Sequence, residues 1–413
     1  MALENEKVLP AKVSVHTELK DASIGLTRTA NVNAAQRYLS IDFFRGLVVA
    51  FMIVVNTPGT LAYVFDPLEH AQWFGCTLAD VVFPSFLFLV GVSMWFSFSR
   101  YQFQWSAEAG WKILRRTALI FFIGFMLNKF PVYWKNLDHW RVMGILQRIA
   151  LSYGLASVLV LTLSRRALIL ASVGILLLYW GILNWFVVPG SDPYAIDGNA
   201  MLRLDRWIYG IEVHAALDIE HWLFGDDYFW HGNGFHFDSE GLLGVLPSIV
   251  TVVLGWQAGS VISRFSARKG RLLRALVLLG VGCGFAGLLW GMYFPISKKL
   301  WTSSYVLYAG GVSIVMLAGA IWLIEVRKWR MGMNFFLVFG ANPLFAFVLS
   351  EALEQIAFSI PTSDGDGYEW LYAHSFQLLG QNELTSLLFG LTYMLFCWLI
   401  CRWMYVRKIF IKI

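Results

Sequence analysis

Charge is what this chain is short of. Asp, Glu, Lys and Arg make up 14% of its 413 residues while hydrophobic types make up 58%. That balance cannot clothe a folded domain in a water-facing surface, so lipid must cover much of it. Cysteine is scarce too: of the 4 present, Cys283, Cys397 and Cys401 fall inside apolar runs and only Cys76 lies near an aqueous boundary. This pattern argues against a disulfide framework and against a metal site. GxxxxGK[ST] phosphate loops, HExxH, paired CxxC and the GxSxG nucleophile elbow are all absent, which sets aside nucleotide hydrolysis and zinc chemistry. No internal duplication is apparent, which weakens a transporter built from inverted repeats. The net charge of +5 is spread along the chain, so it reports topology rather than nucleic-acid binding.

What the chain has in quantity is long apolar runs. A helix crossing the hydrocarbon core needs about 20 mostly apolar residues, and about ten runs meet that length. They lie near 43–64, 78–98, 112–128, 142–163, 167–188, 241–262, 272–294, 303–325, 334–357 and 385–405. The expected fold is an all-α polytopic membrane protein, a bundle of about ten transmembrane helices with a large outer-face loop between spans five and six. Residues 1–36 are polar and mixed in sign and lack the apolar core of a signal peptide, which predicts a disordered cytoplasmic tail ahead of one membrane domain over 37–413. Basic residues gather in alternate turns, at Arg45, at Arg100, Lys112, Arg115 and Arg116, at Arg165 and Arg166, and again around Arg268, Arg327 and Arg407. By the positive-inside rule these turns and both termini face the cytoplasm. Lys129, Lys135, Lys298 and Lys299 are exceptions to that bias. The stretch from Gly190 to Glu240 is rich in Trp, Tyr, His and Asp, and a long loop of that composition is expected to pack as a cap.

Ionisable groups in membrane spans are costly and gather where they line a cavity or pair. Here Asn56, His70, Asp80, Gln147, Arg148, Asp238, Glu240, Glu351 and Glu354 all fall toward the outer half, which predicts an outer-facing polar cavity. Asp80 with Arg148 is the expected buried pair, and a carboxylate near His70 would set its tautomer. Plainer roles stand beside these. His70 can be a solvated turn residue, Asp80 a helix cap and Arg148 a snorkelling side chain. Gly91, Gly144, Gly244 and Gly255 are most simply helix-packing positions.

The segment RYLSIDFFRGLVVAFMIVVNTPG and the following PLEHAQWFGCTLADVVFPSFLFLVGVSM resemble the membrane catalytic domain of the heparan-alpha-glucosaminide N-acetyltransferase family, which includes the lysosomal transmembrane enzyme and bacterial relatives. RVMGILQRIALSY, LDRWIYG, FDSEGLLGVLPSIVTVVLGWQAG, PISKKLWTSSYV and GANPLFAF follow in the family order. One departure is Ser239, where relatives commonly carry proline. The resemblance implies an acyltransferase that takes acetyl from cytoplasmic acetyl-CoA, its cosubstrate, and delivers it to the amine of a glucosamine-type sugar on the far side, with no metal. It implies His70 as the catalytic residue, acting as general base or acetyl carrier, and Asn56 as its assistant. Asp80 would join them, holding the site in shape. Arg148, Gln147, Asp238 and Glu240 are the candidates for contacting the acceptor, and Arg45, Arg115 and Arg116 for CoA phosphates. The expected partners are membrane lipid and a glycan or amino-sugar acceptor, with a homodimer as a further candidate and no nucleic acid. The expected location is a bacterial inner membrane. The rival expectation is a proton-coupled sugar or amino-sugar transporter using His70 and the outer carboxylates.

Overall fold

Apolar runs bounded by capping residues become helices in the computed structural model, which describes residues 38–131, 141–186, 192–194, 201, 238–363 and 365–411. The expected 1–36 tail and nearly all of the Gly190–Glu240 loop lie outside the described residues. Helices α1 (Leu39–Asn56), α2 (Leu78–Phe98), α3 (Ala107–Leu127), α4 (Ile145–Thr162) and α5 (Arg165–Trp185) come first. After the long loop follow α6 (Val245–Phe265), α7 (Lys269–Gly291) and α8 (Ser303–Ile321), the last running on through a wide π turn at Trp322–Val326. The chain closes with α9 (Met333–Ala341), α10 (Pro343–Ser359), the short α11 (Gly367–Ala373) and α12 (Glu383–Val406). A two-residue antiparallel pairing of Pro361–Thr362 with Gly365–Asp366 leads into α11. Side-chain oxygens start several of these helices by accepting from backbone N–H groups: Ser106 from Ala109 at 3.1 Å, Ser164 from Ala167 at 3.3 Å and Asn382 from Thr385 at 3.1 Å.

Eight helical segments among the described residues are long and apolar enough to cross a membrane. The run over 43–64 is shorter as a helix than its apolar length suggests, because Pro58 cannot continue α1 past Asn56. The span expected over 334–357 is broken: α9 and α10 meet at 84° across Asn342, where Pro343 takes the first position of the new helix. The run at 112–128 sits in α3, whose first half carries Glu108, Lys112, Arg115 and Arg116 and so lacks a full apolar span.

Close helix packing, rather than charge, organises the middle. A methyl group on Gly91 would lie 1.9 Å from the Val252 carbonyl oxygen, and one on Gly255 would lie 1.9 Å from that of Phe88. Glycine on both sides therefore lets the α2 and α6 backbones touch, the small-residue packing used where lipid removes the hydrophobic drive. Gly46 of α1 and Gly340 of α9 repeat the device. Both α2 and α6 are 72% buried over their apolar windows, whereas α5 and α7 are 22% buried; the former are central and the latter form the lipid-facing rim. Inside α2, Pro84 has no N–H for the carbonyl of Asp80 one turn earlier. The buried Tyr305 hydroxyl donates to that carbonyl at 2.6 Å, tying α8 to the first turn of α2.

Candidate active site

The ends that carry the polar residues meet. The Gly59 N–H donates to the Ser386 carbonyl and the Gly75 N–H to that of Ile296, at 3.1 and 2.8 Å. The Tyr368 hydroxyl donates to the Pro58 carbonyl at 2.8 Å. Between these tied loops lies a cavity of about 1610 Å³, lined by Asn56, His70, Asp80, Gln147, Glu240, Glu351 and Glu354. Arg141, Lys298 and Lys299 also line it.

His70 sits in the turn just ahead of α2, and Asp80 in that helix's first turn. Asp80 is fully buried and its carboxylate is saturated. Oδ2 accepts from the Thr77 N–H at 3.0 Å, the Thr77 hydroxyl at 3.1 Å and the Ala71 N–H at 3.1 Å. Oδ1 lies 2.8 Å from His70 Nδ1. The carboxylate thus caps the helix, folds the 71–77 turn onto itself and anchors the imidazole at once. The plain role as a cap and the role as a partner to histidine are the same set of bonds. With Nδ1–H donating to Asp80, Nε2 is left as the basic nitrogen. The His70 side chain is 40% exposed against 1% for Asp80, so the ring faces space that a ligand can enter.

A cation completes the group. Lys298, from the turn ahead of α8, places Nζ 3.2 Å from each ring nitrogen of His70 and 3.7 Å from Asp80 Oδ1. Partial burial first, then the Lys298 charge, hold the imidazole below its usual pKa, against the opposing pull of Asp80. Burial likewise lowers Lys298, with Asp80 and Glu240 opposing. Burial and the Lys298 charge both favour the uncharged imidazole.

The expected Asp80–Arg148 pair does not form. Arg148 is fully buried and turns instead to the 238–244 segment: Nε lies 3.2 Å from Glu240 Oε2 and Nη2 donates to the Ser239 carbonyl at 2.7 Å. Its guanidinium also stacks 4.8 Å from the centre of the Trp301 ring. Asp238 is held by Arg141 in a two-pronged bridge at 2.9 and 2.6 Å. Neither Asp238 nor Arg148 lines the cavity, while Gln147 and Glu240 do. Asn56 reaches Glu351 rather than His70, its amide donating at 3.3 Å. Arg45 is bound to Ser93 at 2.7 Å and Asp42 at 3.2 Å, and Arg116 lies over the Tyr153 ring at 4.7 Å. Arg45, Arg115 and Arg116 do not line the cavity. The cavity cations that sequence reasoning passed over are Arg141, Lys298 and Lys299. Lys298 and Lys299 were visible as exceptions to the charge bias, alongside Lys129 and Lys135.

Fold and site together define an all-α polytopic membrane protein with a histidine–carboxylate pair at one end of its bundle, opening on a large polar cavity. Residues 37–196 match the family described as heparan-alpha-glucosaminide N-acetyltransferase, catalytic. It is similar to heparan-alpha-glucosaminide N-acetyltransferase of Homo sapiens, 26% identical over 385 residues that cover 77% of this chain and 53% of the relative. The Mus musculus protein of the same name is 26% identical over 367 residues, covering 78% and 54%. The chain spans about half the length of these curated relatives.

Proposed function

We propose that this protein is a membrane acyltransferase that moves an acetyl group from acetyl-CoA to the amine of a glucosamine-type sugar. The observation that carries the proposal is the 2.8 Å contact of His70 Nδ1 with the buried Asp80 carboxylate, on the wall of a cavity large enough for two substrates. Pockets for one small ligand run to about 300–1,000 Å³, and this one is about 1610 Å³. Nε2 takes the proton of the attacking sugar amine as the thioester carbonyl becomes tetrahedral. The proton then passes to the departing thiolate as the C–S bond breaks. A positioned base of this kind is worth roughly 10²–10⁴ in rate. Asp80 fixes the tautomer and orientation, and Asn56 and Glu351 supply a hydrogen-bonding wall for sugar hydroxyls or the amine. Among the described cavity cations, Arg141 is engaged by Asp238, Lys298 lies on His70 and Lys299 sits over the Trp73 ring. The wall therefore suits the acetyl–pantetheine arm better than the nucleotide phosphates of the donor. The basic turns support an orientation with the cavity on the outer face of a bacterial inner membrane and both termini inside.

Purified protein incubated with labelled acetyl-CoA and a panel of glucosaminides should yield labelled N-acetyl product, identified by mass spectrometry, and His70→Ala should lose it. Failure to label any amine, together with sugar uptake by proteoliposomes, would establish the transporter instead. Label retained on the protein at His70 after rapid quenching would show a two-step transfer through acetyl-histidine.

A further inference from the structure

Lys298 is the basic residue nearest His70. Its placement is built in. The turn from Ser297 to Thr302 is closed on itself by the Thr302 N–H to the Ser297 carbonyl at 3.1 Å and the Ser297 N–H to the Thr302 hydroxyl at 3.1 Å. Within it Trp301 holds a left-handed backbone, φ 50°, and is fully buried. A non-glycine residue adopts that conformation only when its surroundings enforce it, and here Arg148 stacks on the ring. The same turn is bridged to Gly75 in the segment that carries His70. The two turns are thus registered against each other by backbone bonds, and the side chains between them meet by construction.

The distances say what the meeting is for. An ammonium placed to neutralise Asp80 would approach the carboxylate to about 2.7–2.9 Å, yet Lys298 stops 3.7 Å short while sitting 3.2 Å from both imidazole nitrogens. Its 18% exposed side chain has given up most of its water, a cost that a purely structural lysine would offset with a direct ion pair. The charged groups around His70 are Asp80 from α2, Lys298 and Lys299 from the turn ahead of α8, and the adjacent Glu69. Lys298 is the one besides Asp80 in direct contact.

We propose that Lys298 is the positioning residue that keeps His70 uncharged with Nε2 available, forming with Asp80 a three-residue unit in which the carboxylate orients the base and the ammonium opposes its premature protonation. Its role in turnover rests on the acyl-transfer reading, but its effect on His70 does not. A carboxylate alone beside an imidazole favours the charged ring, which has no lone pair to offer an amine. The cation restores the balance.

The test is the titration of His70 followed by NMR in detergent-solubilised protein labelled at histidine ring carbons, with the His70 signal assigned by its loss in His70→Gln. Lys298→Met should raise the His70 midpoint by about one pH unit and move the acid limb of kcat/KM for acetyl transfer by the same amount. Lys298→Arg should restore both toward wild type, and Lys299→Met should move them less. Equal midpoints in wild type and Lys298→Met, with an unchanged melting temperature, would overturn the proposal whether or not the protein transfers acetyl groups. A shifted midpoint in a protein that acetylates nothing would uphold the proposal and sink the acyltransferase reading instead.

Discussion

At the scale of single residues, Asp80 does three things with one carboxylate, and its replacement separates them. Asp80→Asn keeps size and most of the cap but offers an amide N–H where His70 needs an acceptor, so the ring turns its lone pair to Nδ1 and Nε2 becomes a donor. Acetyl transfer should fall by roughly 10²–10⁴-fold while the melting temperature drops only modestly, measured as kcat beside a thermal scan. The pH dependence follows from the direction of the His70 shift. Because the folded protein depresses this pKa below about 6.5, the base stays active through neutrality and activity falls only as pH drops through the lowered value. The sign for stability is the same: below about 6.5 the unfolded chain binds a proton that the folded site resists, so the contribution is present above that pH and lost in acid. A kcat/KM limb at or above pH 7 would contradict the assignment. These contacts were only partly legible in the sequence. His70, Asp80 and Asn56 could be named, but the partners could not. Charges at one depth in a bundle meet according to the azimuth of each helix, and that sent Arg148 to Glu240 and left Asp80 to His70.

Elements, by contrast, were readable wherever an apolar run was long and ended at a cap, and were misjudged where proline interrupted the run. Pro58 and Pro343 each sit inside stretches whose hydropathy continues, so composition extended the span while the missing N–H stopped the helix. The glycines expected to pack helices do so at Gly91 and Gly255, with different weights from surface glycines. Gly91→Val should force apart the α2 and α6 backbones and cost about 3 kcal/mol or more, read as loss of a monodisperse peak and a lowered melting temperature in detergent. Gly282→Ala, where a methyl meets nothing within 4 Å, should be neutral or slightly stabilising. Equal behaviour of the two would refute the close-contact explanation. Arg148 gives the complementary case. Arg148→Met strands Glu240 and the carbonyls of Ser239 and Gly241 in the interior, a loss of about 3–5 kcal/mol for a broken buried pair. Adding Glu240→Met should recover part of it. A double variant no more stable than the single one would mean the pair is not what secures the 238–244 segment.

For the whole molecule, the arrangement places every described catalytic candidate at one end of the bundle and the densest basic turns at the other. His70 lines the cavity, whereas Arg115 does not, and Arg45 is committed to Ser93 and Asp42. The expected sidedness rests on a positive-inside bias that sums over many turns. Lys298 and Lys299 stand out only as exceptions to it, because a sum over turns does not say what two residues touch. If the orientation is right, a donor made in the cytoplasm must reach a site near the far face. Cysteine labelling tests this with little interference from the native thiols. Burial and the nearby Asp80 push the half-buried Cys76 thiol up to about 12, leaving it protonated and slow toward maleimide. Cys397 and Cys401 are buried among the helices, and Cys283 lies midway along the apolar α7. Glu69→Cys, beside His70 on the exposed turn, should react with a membrane-impermeant maleimide on intact cells, and Arg165→Cys, at the start of α5, only after permeabilisation. The reverse pattern would put His70 on the cytoplasmic side, remove the need to carry acetyl across the bilayer, and turn the same three side chains into the site of a one-sided transferase.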